Sequence, residues 1–362
     1  MEMIETETRV VVLNEQPEFS TCNNDDVSAS YFILCEEDAN LPLSKNVQDY
    51  KIAGMSILNW VVRVCETQPT ILKVNHNDDV LKVIKPYLGD SEYSVVLYAS
   101  TPLLNRGHIK DLLGFVARKH MNACKLKKGY VFKNEYIENV DEIYSIDTYD
   151  FASNDFFEVK NYEDLSYAQE MLQKKVIDYH RKNGVYFENS NLTVVDATTE
   201  IGYNSSIAAG VSILSHSTIS DGFKAGSNSV VSGSKIGDNV KIGKNVLIED
   251  SVIKNGAVIE SDVVIKNSVI GNNVKVSAGV KLISTGVKDD AKIGELSQIV
   301  NSRIAENVYV GVCSSVIGDK ETSVVMQNSL LGANVKVVDS KLSEATNVPS
   351  NSVIISNKKV NE

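Results

Sequence analysis

The sequence predicts an α/β amino-terminal domain followed by a left-handed parallel β-helix of hexapeptide repeats. Three observations predict it. From residue 201 to 355 an aliphatic side chain returns at every sixth position, first as Ile201, Ile207, Ile213, Ile219, Ala225 and Val231. After Val231 the step drops to five, and the pattern becomes six, six, five through Ile236, Ile242, Ile248 and Ile253, on to Leu342, Val348 and Ile354. A hydroxyl column rides on the short step: Ser234, Ser251, Ser268, Thr285 and Ser302 lie 17 residues apart, and Ser323 and Ser340 resume that spacing. Upstream, short apolar runs alternate with helical patterns.

A helix needs a period near 3.6 and a plain strand a period of 2. A period of six with a registered second mark fits a coil of three short strands, each placing one aliphatic side chain inward. Such coils bury their apolar ring only against their neighbours, so they are stable as a stack. Roughly nine coils at ~4.8 Å give a prism about 40 Å long. The hydroxyl column stands at the shortened corner, after Gly233, Asp250, Asn267, Asn301 or Asp339, where small polar side chains bond local backbone. Between Ser302 and Ser323 the spacing widens to 21. A solenoid takes insertions only as loops at a corner, so Gly318–Glu321 is expected to project as a tolerated insertion.

The upstream elements follow in order. Residues 1–30 hold one strand, Arg9–Leu13, and a polar loop. Tyr31–Cys35, Thr70–Val74 and Tyr93–Tyr98 read as buried strands, and Ser56–Cys65, Asp78–Tyr87 and Gly107–His120 as helices. That alternation implies a parallel sheet with right-handed crossovers over residues 31–160. Lys128–Phe132 and Phe156–Val159 read as further strands. Residues 161–184 form a connecting helix: Asn161 caps it, Glu163 and Asp164 suit its positive end, and Gly184 can take the left-handed C-cap conformation. The β-helix is expected over 195–358.

The bulk numbers exclude several classes. A net charge of −11 and a pI near 5.1 argue against nucleic-acid or anionic-membrane partners. No apolar run approaches the ~20 residues of a membrane span. The acidic start, Met1–Glu7, lacks signal-peptide features. Five scattered cysteines, Cys22, Cys35, Cys65, Cys124 and Cys313, form no metal-ligand spacing. They read as small core residues of a cytoplasmic protein.

The order α/β domain, connecting helix, hexapeptide prism resembles that of sugar-1-phosphate nucleotidyltransferases. It is most similar to the bacterial bifunctional N-acetylglucosamine-1-phosphate uridyltransferase/glucosamine-1-phosphate acetyltransferases. Ile52–Val61, Val95–Leu104 and Glu158–Leu165 with Asn183–Val185 carry the resemblance, and Val324–Gly332 is similar to the tails of glucose-1-phosphate adenylyltransferases. The resemblance implies a reduced, Rossmann-like nucleotidyltransferase domain, with Mg²⁺ and acetyl-CoA as the family's cofactors, a side-by-side trimer, and a place in nucleotide-sugar and cell-envelope metabolism.

The chain departs from the family at each reactive position. The family's glycine-rich phosphate loop follows its first strand; here Glu36-Glu37-Asp38-Ala39-Asn40 follows. Such a loop holds phosphates through backbone amides. A carboxylate facing a phosphate oxygen at ~4 Å costs about 1 kcal/mol in water and about 4 at an effective dielectric of 20. The family's metal-binding aspartate is matched by Ser100, a poor Mg²⁺ ligand. Lys45 lies near but out of register with the family lysine, and no basic residue stands in register to offset the carboxylates. Lys45, Ser100 and Thr101 remain the candidate nucleotide or sugar-phosphate contacts, and no metal site is expected. In the prism the acetyltransferase motif is absent, and His216 is the one candidate general base. A lone histidine of this kind is usually a solvated side chain. Two readings follow. Either the chain has lost both chemistries and serves as a scaffold, a regulator or a sugar-phosphate binder, or it is an active transferase using His216 or replacement residues.

Overall fold

The computed structural model describes residues 27–37, 43, 46–76, 78–141, 147–148 and 154–355. Arg9–Leu13, Cys22, Asp38 and Lys45 lie outside them. The chain divides into two compact units between residues 172 and 173.

The first unit is built on a mixed six-stranded sheet. In chain order it contains β1 (Ala29–Glu37), the hairpin β2 (Lys51–Ile52) and β3 (Met55–Ser56), α1 (Ile57–Val62), β4 (Thr70–Asn75), α2 (Val80–Ile84) and β5 (Tyr93–Tyr98). Next come α3 (Arg106–Arg118), β6 (Ala123–Leu126), β7 (Gly129–Lys133), α4 (Asn134–Glu138) and β8 (Asp147–Thr148). The sheet order is β4-β1-β5-β7-β6-β8. β1 pairs in parallel with β4 and β5, as the alternating pattern predicts. Both faces of β1 are covered. Ile33 and Cys35 pack with Val95, Leu112 and Val116, while Phe32 and Leu34 pack with Val96, Leu81 and Ile84. A strand buried on both faces reads as a continuous apolar run.

Three expectations fail here. The sheet is not parallel throughout: β7 runs antiparallel to β5 and to β6, because a two-residue turn at Lys127–Lys128 makes a hairpin where a crossover was expected. β6 was not foreseen at all. Phe156–Val159 is a 3-10 turn and extended chain and not a strand; Val159 N–H donates to Ser100 O at 2.9 Å. The helices fall where expected, capped by Ser56, Asp79 and Asn105.

α5 (Tyr162–Lys182) opens with Asn161 Oδ1 accepting Asp164 N–H at 2.9 Å and ends at Gly184, with φ 82°. The second unit is a three-sided parallel β-solenoid of about ten turns, which fits a left-handed β-helix. Its first strand is Tyr186–Phe187, earlier than residue 195. Three sheets of ten, nine and ten strands form its walls. The hexad aliphatics line the interior: Ile248, Ile265, Leu282, Ile299, Val316 and Val337 have no exposed surface.

The hydroxyl column is at one corner and does more than close turns. Ser251 Oγ donates to Glu249 O at 2.6 Å and accepts Ser268 N–H at 3.1 Å; Ser268 Oγ donates to Lys266 O at 2.7 Å and accepts Thr285 N–H at 3.1 Å. Each hydroxyl therefore ties its own corner to the next coil. The residue before it is held at positive φ, as at Asp250 (45°), Asn267 (48°) and Asp339 (47°). Glycine, asparagine and aspartate tolerate that region best. A second corner has the same demand and breaks the rule twice, at Leu296 (φ 57°) and Cys313 (φ 54°). Both are exposed, so Cys313 is not the core residue expected, whereas Cys35, Cys65 and Cys124 are buried. In the insertion, Gly318 is buried and continues the ladder by donating to Val300 O, while Asp319, Lys320 and Glu321 are exposed. Their three amides converge on Asp339 Oδ1 at 2.7, 3.0 and 3.2 Å.

Candidate functional site

In a sheet of this kind ligands bind outside the carboxyl ends of the parallel strands. At that edge of the first unit stand Glu36 and Glu37 from β1, His76 just after β4, and Tyr98, Ser100 and Thr101 at and after β5. Lys128 reaches the same edge from the β6–β7 hairpin. Its ammonium lies 2.8 Å from Glu36 Oε2 and 2.8 Å from Glu158 Oε1, and 4.3 Å from the centroid of the Tyr98 ring. Glu158 Oε2 is 2.8 Å from Lys160, and Glu36 Oε1 is 3.7 Å from His76 Nδ1. Glu37 is paired with Lys73 at 3.1 Å.

The expectation that no basic residue offsets the carboxylates concerned residues in register; in the fold a residue out of register offsets them. Lys128 does so from 92 positions away in sequence. Its side chain is 18% exposed and those of Glu36 and Glu158 are 20% exposed. Burial alone would lower the lysine pKa, but the hydrogen bonds to Glu158 and Glu36 outweigh it and hold the pKa up. Burial likewise works to raise the Glu158 pKa, and its bonds to Lys128 and Lys160 bring it below the ordinary value. An ammonium lodged between two carboxylates excludes a cation from the place where they would share one. The two carboxylates in turn oppose a phosphate.

The other candidates fare unequally. Thr101 is fully buried, and its hydroxyl donates to Tyr98 O at 2.8 Å, which closes its own turn and leaves nothing for a ligand. Ser100 Oγ is shut off from solvent and has no hydrogen-bond partner among the described residues. Lys45 is outside the described residues. His216 is far along the chain, exposed at a solenoid corner with φ 56°, and no carboxylate pairs with it among the described residues. Among those residues no group of three His, Cys, Asp or Glu side chains could hold a metal ion. No helix among them is long and apolar enough to cross a membrane.

Thiol chemistry is disfavoured at Cys35 and Cys65. Burial pushes the Cys65 thiol up to about 12 and the Cys35 thiol up to about 11. Sequence reasoning also missed a pair: His108 Nδ1 on α3 is hydrogen-bonded to Asp155 Oδ2. Nothing in the local sequence marks it, because its two halves are 47 residues apart. The signal that could have revealed Lys128 is Lys127-Lys128-Gly129, a basic two-residue turn between apolar runs.

Among solved structures, the chain is similar to Rv0371c from Mycobacterium tuberculosis H37Rv at 8% identity, covering 40% of this chain and 98% of that one, with a TM-score of 0.32. It is also similar to the UDP-N-acetylglucosamine O-acyltransferase LpxA from Moraxella catarrhalis RH4 (17% identity, 42% of this chain, 65% of that one, TM-score 0.20). A third is LpxA, a UDP-N-acetylglucosamine acyltransferase from Bacteroides fragilis 9343 (15% identity, 47% of this chain, 66% of that one, TM-score 0.23). At these values the likeness has no bearing on activity. No family profile matches the sequence, and no curated protein is similar to it at a significant level.

Proposed function

We propose that this chain is a nucleotidyltransferase-like protein without nucleotidyltransferase activity, acting as a scaffold or regulator in nucleotide-sugar metabolism. The observation that supports the reading is the run Glu36–Lys128–Glu158–Lys160 at the carboxyl edge of β1 and β5. Phosphoryl and nucleotidyl transfer depend on neutralising the transferred phosphate with metal and fixed donors. Here the fixed cations are already committed to the chain's own carboxylates. The same reading places the protein in the cytoplasm as a homo-oligomer, a trimer formed along its β-solenoid. Acyl transfer by His216 is the competing reading, and an exposed imidazole with no carboxylate to orient it does not favour it.

The test is a pyrophosphate-release assay and calorimetry with UTP, ATP, GTP and CTP, each with Mg²⁺ and hexose- or hexosamine-1-phosphates. The expected result is no turnover and no Mg²⁺-dependent triphosphate binding. Turnover with any pair would overturn the reading. Acetyl-CoA hydrolysis that is lost in His216→Ala would favour the acyltransferase.

A further inference from the structure

A column of lysines and an interrupted column of acids run along the solenoid at the same pitch. On the sheet that begins at Tyr186–Phe187, the outward position of successive coils reads Lys224, Lys241, Val258, Lys275, Lys292. These strands are parallel and in register, so neighbouring lysines stand about 4.8 Å apart. All four lysines are exposed, and none forms an ion pair among the described residues. Like charges directly opposite one another are destabilising. A chain of net charge −11 has acids to spare, yet none is placed against this column.

Acids stand on the neighbouring corner three residues before Lys224, Lys241 and Lys292, while Asn255 and Asn272 hold that position in the two coils between. Asp221 precedes Lys224 and Asp238 precedes Lys241. With Glu200 and Gly202 they line a recess of about 450 Å³. Further along, Asp289 precedes Lys292, but there the chain supplies its own cations, Lys254 and Lys288. At the recess the positions equivalent to Lys254 and Lys288 are Ser220 and Gly237, and among the described residues no ion pair forms to Asp221 or Asp238, although Asp221 Oδ1 accepts Tyr203 N–H at 2.9 Å. Lys235 on the adjoining wall forms no ion pair with the three acids among the described residues.

We propose that a second copy of this chain docks side by side, its Lys224 and Lys241 entering the Glu200–Asp221–Asp238 recess of the first. This rests on the homo-oligomer reading above and names its contact. A rotation about an axis parallel to the solenoid keeps every coil at its own height. Because acid and lysine share a coil, Lys224 then meets Asp221 and Lys241 meets Asp238. A twofold axis across the solenoid would reverse the coil order and lose that match. The contact joins two different surfaces, and with no translation along the axis it closes as a ring when the rotation is a whole fraction of a full turn.

The experiment is sedimentation velocity on the full chain at micromolar concentration and low ionic strength. Wild type is compared with Lys224→Glu/Lys241→Glu, with Asp221→Lys/Asp238→Lys, and with all four changes together. Each pair reverses one surface and is expected to weaken association by about a hundredfold or more, since two ion pairs become two repulsions. The fourfold variant restores complementarity and is expected to reassemble. An oligomer unmoved by either reversal, or a fourfold variant that stays dissociated, overturns this contact while leaving the homo-oligomer reading intact. A monomeric wild type overturns both. Circular dichroism checks that each variant keeps its β signal. Should a reversal variant fail to fold, wild-type assembly must still weaken steeply with added salt; salt-insensitive assembly overturns the contact.

Discussion

His180 should make the second unit sensitive to mild acid. It lies in the last turn of α5 and is 3% exposed. Burial lowers its pKa from 6.5 to about 4, so the folded chain holds the imidazole neutral. The unfolded chain takes up a proton below about 6.5, and the folded one resists until about 4. Stability is therefore complete above the unfolded pKa and is lost as pH falls from about 6.5 towards 4. The depression of about 2.5 units corresponds to roughly 3 kcal/mol in total, at 1.36 kcal/mol per unit, of which about 2 is lost by pH 5. The perturbation is His180→Leu, which removes the titration. Urea unfolding is followed by circular dichroism near pH 7.5 and near pH 5. The wild type should lose about 2 kcal/mol more than the variant across that interval, and the paired difference cancels every other titrating group. An imidazole resonance for His180 that titrates near 6.5 in the folded protein would show the reasoning to be wrong.

Four other outcomes rest on contacts described above. Lys128→Met removes the cation shared by Glu36 and Glu158, leaving Glu158 only Lys160 and Glu36 only His76, and should cost about 3 kcal/mol by denaturant unfolding, while adding Glu36→Gln and Glu158→Gln should recover most of it. Ser268→Ala strands the Thr285 amide in a buried corner and should cost roughly 1–3 kcal/mol. Ile265→Ala, at a position with no exposed surface, should cost about 2–5 kcal/mol, with the spread set by how far adjacent coils collapse. Leu296→Asn should instead stabilise by about 1 kcal/mol, because Leu296 is 64% exposed and held at φ 57°, where asparagine is tolerated and leucine is not. Thermal unfolding of each variant against the wild type checks all four.

The solenoid was legible because its information is local and repeated. Each hexad aliphatic points inward for the same reason as the one a coil before it, so Ile248 and Ile265 could be placed from spacing alone. The role of Ser251 between coils was half legible: its turn follows from the short step, but its bond to Ser268 needs the stack. The ion-pair run at β1 was not legible, because Glu36 and Lys128 are brought together by an antiparallel hairpin that no periodicity announces. Thr101 is the opposite case. A resemblance assigned it a ligand, while the turn it closes lies three residues back at Tyr98. Leu296 and Cys313 could be located in the repeat, but only the backbone dihedrals expose them as exceptions to its corner chemistry.

The corner at Asp339 has a practical consequence. Four additional residues enter between Ser302 and Ser323, yet Ser302 still pairs with Ser323 in register and the walls continue undisturbed. One carboxylate gathers the amides of Asp319, Lys320 and Glu321, so the extra chain is fastened to the following coil. The position is therefore a natural port for grafting. A foreign peptide spliced between Lys320 and Glu321 would be displayed from a rigid mast, and its length could vary without shifting the register of the coils on either side.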